Sequence, residues 1–155
     1  MQSTKIKILK HATTANLKDI NRLLSQLSLG KTPPRPLIYG QFTSLLKQKN
    51  MFFLVVMSGA GAKGRIIGFV VMYLIRIPSG LLAVAEDLII DEPYRKWGIG
   101  RLLMEYAVVL AEKKYARHIS LRTNPQRIEA NKLYEQMGFH LMPTNFFRIN
   151  LPRKK

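Results

Sequence analysis

Between an apolar segment ending at Ile90 and a helically periodic one beginning near Ile99 lies Arg95-Lys96-Trp97-Gly98-Ile99-Gly100. Glycines at these two positions let successive backbone N–H groups converge on one point, and the start of a helix adds partial positive charge. Arg95, Lys96 and Arg101 add full charges, so the chemistry expected of the segment is anion binding, with a pyrophosphate as the ligand. Taken locally, a plain turn with solvated cations is the alternative. It is not a Walker loop, because G-x-x-x-x-G-K-[ST] occurs nowhere in the chain. A second glycine run, Gly59-Ala60-Gly61-Ala62-Lys63-Gly64, fits G-x-G-x-x-G. A dinucleotide site needs a helix after the last glycine, whereas Arg65-Ile66-Ile67-Gly68-Phe69-Val70-Val71 reads as a strand, so this run is expected to be a hairpin loop.

Other chemistries are poorly provided for. There are no cysteines among the 155 residues, which removes disulfides, thiolate metal sites and cysteine nucleophiles together. His11, His118 and His140 lie far apart without ligand spacing, so no metal site is expected. The 25 Lys and Arg against 9 Asp and Glu give a formal charge of +16, a field that attracts nucleic acid, phosphorylated cofactors or an anionic surface. Residues 1–85 carry a single acid, Asp19, while Glu86, Asp87, Asp91, Glu92, Glu105, Glu112, Glu129 and Glu135 all follow. The N-terminal segment lacks a signal-like apolar stretch, and the longest apolar run, Ile66 to Ile77, is short of the ~20 residues a spanning helix needs. A cytoplasmic protein without membrane association is expected.

The elements that must position the loop follow from periodicity. Lys5 to Lys10 alternates as a short edge strand. Leu17, Ile20, Leu23, Leu24 and Leu27 recur at helical spacing, with Thr13 or Thr14 as N-cap and Gly30 beyond the end. The prolines of residues 31–36 predict a rigid connector, followed by a short helix over residues 38–49. Met51 to Met57, Ile66 to Ile77 and Leu81 to Ile90 predict an antiparallel meander. Leu102, Leu103, Tyr106 and Leu110 predict the buried stripe of a helix over residues 99–115. A strand over 118–123 and a helix over 126–137 come next. Gly138 stands where a left-handed residue ends that helix, and strands over 139–142 and 146–151 finish the chain. The class is α+β with a mixed sheet, in a single domain over residues 1–155.

The run Arg95 to Gly100 resembles the pyrophosphate loop [RQ]-x-x-G-x-[GA] of the GCN5-related N-acetyltransferase (GNAT) family at every specified position. The resemblance extends through residues 84–94 and through Ala130-Asn131-Lys132-Leu133-Tyr134-Glu135-Gln136-Met137-Gly138-Phe139, and covers about residues 81–151. It implies a GNAT-like fold, a mostly antiparallel mixed sheet flanked by helices. The co-substrate acetyl-CoA would lie in a cleft between two splayed central strands, here 81–90 and 118–123. By the same resemblance, backbone groups of Leu88, Ile89 and Ile90 pair with the pantetheine arm and acetyl group. Amides of Arg95, Lys96, Trp97, Gly98, Ile99, Gly100 and Arg101 hold the pyrophosphate, and an amide after a strand bulge polarises the thioester carbonyl.

The implied reaction is direct acetyl transfer to a primary amine, without a covalent enzyme intermediate. An alkyl ammonium with a pKa of ~10 must lose a proton before attack. Glu86, in the E-D-L pattern of the cleft strand, is the candidate base, a water chain and a plain ion pair being the alternatives. Tyr134 matches the family's tyrosine acid, which protonates the departing thiolate; a core aromatic is the competing reading. Where many members place an asparagine seven residues before that tyrosine, this chain has Arg127, and Asn124 or Asn131 is expected to take over the contact. The basic charge points to an anionic acceptor, whether a small molecule, a protein near RNA or an aminoacyl-tRNA, and to possible RNA association. A monomer or homodimer is expected. The rival class is an inactive nucleic-acid-binding module on the same fold, although Tyr39, Tyr73, Tyr94 and Trp97 do not interleave with cations as a stacking platform would.

Overall fold

Lysines alternating with apolar residues give a strand one wet and one dry side, and in the computed structural model, which describes residues 5–27, 34–59 and 64–151, they form β1, Lys5–Leu9, at one edge of an open five-stranded sheet. Exposed lysines on an edge strand discourage pairing with other chains. β2 (Met51–Ser58), β3 (Arg65–Ile77) and β4 (Gly80–Ile90) continue the sheet as the expected antiparallel meander, and β5 (Ile119–Leu121) joins β4 in parallel, giving the order β1-β2-β3-β4-β5. The chain forms two compact units, residues 1–122 and 123–155. The sheet and the helices α1 (Thr14–Leu24), α2 (Tyr39–Leu46) and α3 (Ile99–Lys113) belong to the first, and α4 (Ile128–Gln136) to the second.

Strand periodicity sorts the core to the two faces of the sheet. Phe53 and Val55 of β2, Phe69 and Val71 of β3 and Ile89 of β4 pack with Ile20 and Leu23 of α1 and Phe42 of α2. The Phe53 ring lies 5.9 Å from both Phe42 and Phe69. The alternate positions Leu54, Val56, Val70, Met72, Ala83 and Ala85 are also buried, on the face where α3 lies. The Thr13 hydroxyl caps α1 by accepting from the Asn16 N–H at 3.1 Å, one of the two cap positions expected.

Three expectations need correction. The buried stripe of α3 is Ile99, Leu103, Met104, Ala107 and Ala111, while Leu102 and Tyr106 are exposed. Alanines bring this helix close to the sheet, and they carry too little hydrophobicity to be singled out by size. Residues 139–151 form no strands; an apolar alternation is satisfied as a strand only where a neighbouring backbone completes the ladder. β5 spans three residues rather than six. Gly30, part of the proline connector and residues 60–63 of the second glycine run lie outside the described residues, but β2 and β3 on either side of that run pair antiparallel up to Ser58 and Arg65, as a hairpin requires.

Candidate functional site

The register of β3 against β4 shifts between Phe69 and Val71: Ile89 faces Phe69, Glu86 faces Val71, and Asp87 and Leu88 together oppose Val70. This is a β-bulge, and its first residue, Asp87, has φ 53°, a left-handed conformation that aspartate tolerates better than most residues. Gly68 keeps β3 tight against the exit of the bulge, since a Cβ there would come within 2.8 Å of Ile90 Cδ1 and 3.1 Å of the Ile89 carbonyl oxygen. On the other side, β5 pairs with β4 only at Ala83, Val84 and Ala85. Beyond Ala85, no described strand pairs with this edge of β4. The Asp91 N–H bonds the Ile67 carbonyl at 2.8 Å, so alternation turns Ile89 toward β3 and turns Leu88 and Ile90 toward the open edge.

β4 leads through a 3₁₀ turn, Glu92–Tyr94, into the glycine loop. Lys96 has φ 66° and Gly98 φ 77°, two left-handed positions flanking Trp97 that fold the backbone into a concave turn before α3. The first intrahelical bond is from the Leu102 N–H to the Gly98 carbonyl, at 3.1 Å, which leaves the N–H groups of Ile99, Gly100 and Arg101 without helical acceptors, as at any helix start. An anion placed there would meet these amides and the positive end of a fifteen-residue helix.

The Arg95 side chain does something the sequence does not signal. Its Nε–H donates to the Ile90 carbonyl at 3.1 Å and its Nη2 to Gln26 Oε1 at 3.1 Å. The guanidinium thus ties the loop to the end of β4 and to the residue just past α1, in addition to the charge it brings. Gln26 Oε1 also accepts the Glu92 N–H at 3.1 Å, and its Nε2 donates to Asp91 Oδ1 at 2.8 Å. Asp91 is 2% exposed and its other oxygen, Oδ2, receives Arg22 and Arg65 at 2.6 Å each. Burial by itself would raise this carboxyl, but the hydrogen bonds from Gln26, Arg65 and Arg22 outweigh it and hold Asp91 below the usual carboxylate range. The bond to Asp91 likewise raises Arg65. No periodic signal reveals this network, because its members come from α1, β3 and the β4 terminus.

Glu86, the residue before the bulge, lines an open cleft of about 420 Å³ with Tyr73, Ile75, Val84, Asp87 and Arg122. Its Oε1 accepts from Arg122 Nη2 at 2.5 Å and Nε at 3.2 Å, so both guanidinium contacts fall on one carboxylate oxygen. Burial, then the charges of Asp87 and Glu86, push the Tyr73 phenol above its ordinary value, keeping it neutral and able to donate a hydrogen bond. Arg122 and Tyr73 are lining residues that sequence reasoning missed; the parallel register of β5 brings Arg122 beside β4. Among the described residues, no group of three or more His, Cys, Asp or Glu side chains is arranged to hold a metal. No described helix is long and apolar enough to cross a membrane.

The second unit holds Asn124, Asn131 and Tyr134. Asn124 Oδ1 accepts the Gln126 N–H at 2.8 Å, and Asn131 Nδ2 donates to the carbonyls of Asn124 and Arg127 at 3.0 and 2.9 Å, so both amides shape the turn into α4. The Tyr134 ring meets Phe139 edge-on at 5.9 Å, and Gly138, at φ 84°, supplies the expected left-handed end of the helix.

Comparison with known proteins places these features in a family. Residues 17–139 match the family described as Acetyltransferase (GNAT) family. A transcriptional regulator from Bacillus halodurans C-125 has a TM-score of 0.76 at 23% identity, over 96% of this chain and 100% of that one. An aminoglycoside acetyltransferase from an uncultured soil metagenomic sample, solved with trehalose, gives 0.77 at 18% identity over 96% and 97%. Aminoglycoside N-acetyltransferase AAC(6')-Iy, solved with CoA, gives 0.77 at 17% over 97% and 96%. Identities this low establish a common fold and nothing finer. Among curated proteins, no sequence matches the chain.

Proposed function

The chain belongs to the acetyltransferase (GNAT) family, and from that premise we propose that it is an acetyl-CoA-dependent N-acetyltransferase that passes the acetyl group directly to a primary amine. The observation that carries this reading is the conjunction of a bulged β4 with an open edge at Leu88 and Ile90 and, after it, a glycine loop that opens α3. Amides of residues 96–101 receive the pyrophosphate, with Lys96 and Arg101 adding charge and Arg95 fixing the loop to β4 and Gln26. The Leu88 N–H and C=O and the Ile90 N–H offer a strand-like edge to an extended amide-bearing arm, while the Ile90 carbonyl is engaged by Arg95.

The reaction forms a C–N bond to the acetyl carbonyl carbon and breaks its C–S bond. A backbone N–H after the bulge stabilises the developing oxyanion. Glu86, directly or through water, takes the proton the ammonium must lose; with Arg122 on Oε1, the second oxygen, Oε2, is assigned that task. Tyr134 gives its phenolic proton to the departing thiolate, and the second proton that the nitrogen loses as the amide forms passes, directly or through water, to the phenolate and restores it. Asn124 and Asn131 act by holding the turn into α4.

Calorimetric titration with acetyl-CoA, desulfo-CoA and ATP tests the co-substrate. Saturable one-to-one binding of both CoA compounds with a strong preference over ATP is the expected result. Absent binding, or equal binding of ATP, would reduce the loop to a generic anion site and favour the nucleic-acid-binding reading.

A further inference from the structure

The end of the sheet away from the glycine loop is built from three connections: the approach to β2 after α2, the turn from β3 to β4, and the passage from α3 to β5. Lys47, Lys49, Arg76, Lys113, Lys114 and Arg117 stand on them, all exposed. The single acid in residues 47–85 and 106–122 is Glu112. Contacts draw the connections together. The Lys114 ammonium lies 5.5 Å from the centre of the Phe52 ring at the start of β2, and Arg117 Nη1 donates to the Ser79 carbonyl at 2.6 Å. None of the six cations forms an ion pair with a described carboxylate, the pairs of the first unit being made by Arg22, Arg65, Arg101 and Arg122.

Tyr115 stands in the middle of this charge. It has φ 60°, at the left-handed position after a helix that glycine usually fills, and it is 89% exposed. An aromatic residue in that conformation is under steric strain, and a ring so open to solvent gains little by packing to offset it. Nor do the lysines before it serve as helix caps, because the carbonyls of Leu110, Ala111 and Glu112 already accept the N–H groups of Lys114, Tyr115 and Ala116 at 2.8–3.2 Å. Strain that the fold does not use is a sign of function.

We infer that this end of the sheet binds a single strand of nucleic acid, the cations meeting its phosphates and the Tyr115 ring stacking on one of its bases. A duplex keeps its bases stacked on one another and away from the ring, so the single strand is preferred. RNA and DNA are bound alike, because phosphates and base faces are common to both. A membrane surface is disfavoured: within residues 112–118 the ring has Ala116 as its sole apolar neighbour, which leaves little area to insert among lipids. None of these residues lines the cleft or the glycine loop, so strand binding and acetyl transfer are separable.

The test is fluorescence anisotropy, over a range of salt, with labelled oligothymidylate of about twelve nucleotides and with a duplex of the same length, alongside co-sedimentation with phosphatidylserine vesicles. It compares the wild type with Tyr115→Gly, with Lys113→Gln/Lys114→Gln, and with Lys5→Gln/Lys7→Gln, which removes the same charge from the exposed lysines of the edge strand β1. The wild type is expected to bind the single strand more tightly than the duplex. In Tyr115→Gly, strand affinity falls by about tenfold, the worth of one base stack, while acetyl-CoA binding is unchanged and the melting temperature does not fall, because glycine suits the left-handed position. Loss of the Lys113 and Lys114 charges lowers the slope of log affinity against log salt by about 1.4, roughly 0.7 for each phosphate contact, and loss of the Lys5 and Lys7 charges leaves it unchanged. Absent strand binding, equal binding of the duplex, unchanged strand affinity in Tyr115→Gly, or an equal loss of slope in the two lysine pairs would each overturn the inference. So would a lower melting temperature of Tyr115→Gly, which would make Tyr115 a packing residue, or a loss of vesicle rather than strand binding in that variant, which would assign the surface to a membrane.

Discussion

Replacing Tyr134 by phenylalanine is expected to lower kcat by about 10²- to 10⁴-fold, the usual worth of a positioned acid, with little change in acetyl-CoA affinity. The substitution removes one oxygen and keeps the ring. The edge-on contact with Phe139 at 5.9 Å and the backbone bonds from Met137 and Phe139 to the Tyr134 carbonyl do not use the hydroxyl and are kept in the variant. A pH profile separates an acid from a packing residue. A thiol of pKa ~8.5 leaves readily as thiolate in alkaline solution, and the deficit of Tyr134→Phe is expected to shrink as pH rises through that range. A variant with unchanged kcat at neutral pH would show Tyr134 to be an aromatic packing residue and would send the search for the acid elsewhere.

Asp91→Ala is expected to cost about 3 kcal/mol of folding stability, the lower end for breaking a buried pair by removing one partner. The lower end applies because the Arg22 and Arg65 side chains that converge on Oδ2 at 2.6 Å are partly exposed and recover some hydration. Removing the carboxylate leaves two guanidinium groups facing each other and takes away the acceptor of Gln26 Nε2. Gln26 then holds Glu92 and Arg95 less well, so weaker acetyl-CoA binding is expected to accompany the loss of stability. The pH dependence has a definite sign. The folded-state pKa of Asp91 is lowered, so the folded protein binds fewer protons there than the unfolded chain across the intervening range. The stabilisation is complete above the unfolded carboxylate value of about 4 and is lost as pH falls through the lower folded value. Urea midpoints for wild type and Asp91→Asn should therefore differ most near neutrality and converge in acid below about pH 4. A gap that stays constant through that range would show that the Asp91 charge does not hold the network together.

Sequence and structure diverge in an instructive way. The glycine loop, the meander and the helix before Gly138 are legible because each depends on local conformation or on a short repeat: left-handed backbone at Gly98 and Gly138, period two in β2 to β4, period near four in α4. Of the cleft, Glu86, Asp87 and the flanking strands are legible, while Tyr73 and Arg122 are not. The bulge that aims the β4 edge has aspartate rather than glycine at its left-handed position, Asp87, and so lacks the residue that usually marks one. The brace under the loop joins Gln26 to Asp91 and Arg95 across more than sixty residues, and contacts at that separation leave no pattern along the chain. Arg95 illustrates the cost of reading charge alone: a cation in a basic loop looks like a ligand for phosphate, yet its guanidinium bonds the Ile90 carbonyl and Gln26. Total charge is equally silent about the cleft, where Glu86, Asp87 and Arg122 stand together in a chain of net charge +16.

The central claim is that this chain moves an acetyl group from a thioester to an amine. The most direct measurement follows free CoA thiol and N-acetylated amine together, by thiol titration and mass spectrometry, during incubation with acetyl-CoA and a primary amine such as phenethylamine. The predicted result is amine-dependent release of one thiol per acetylated product, absent without protein and strongly reduced in Tyr134→Phe. Bound acetyl-CoA with no amine-dependent thiol release for any primary amine tested would contradict the claim.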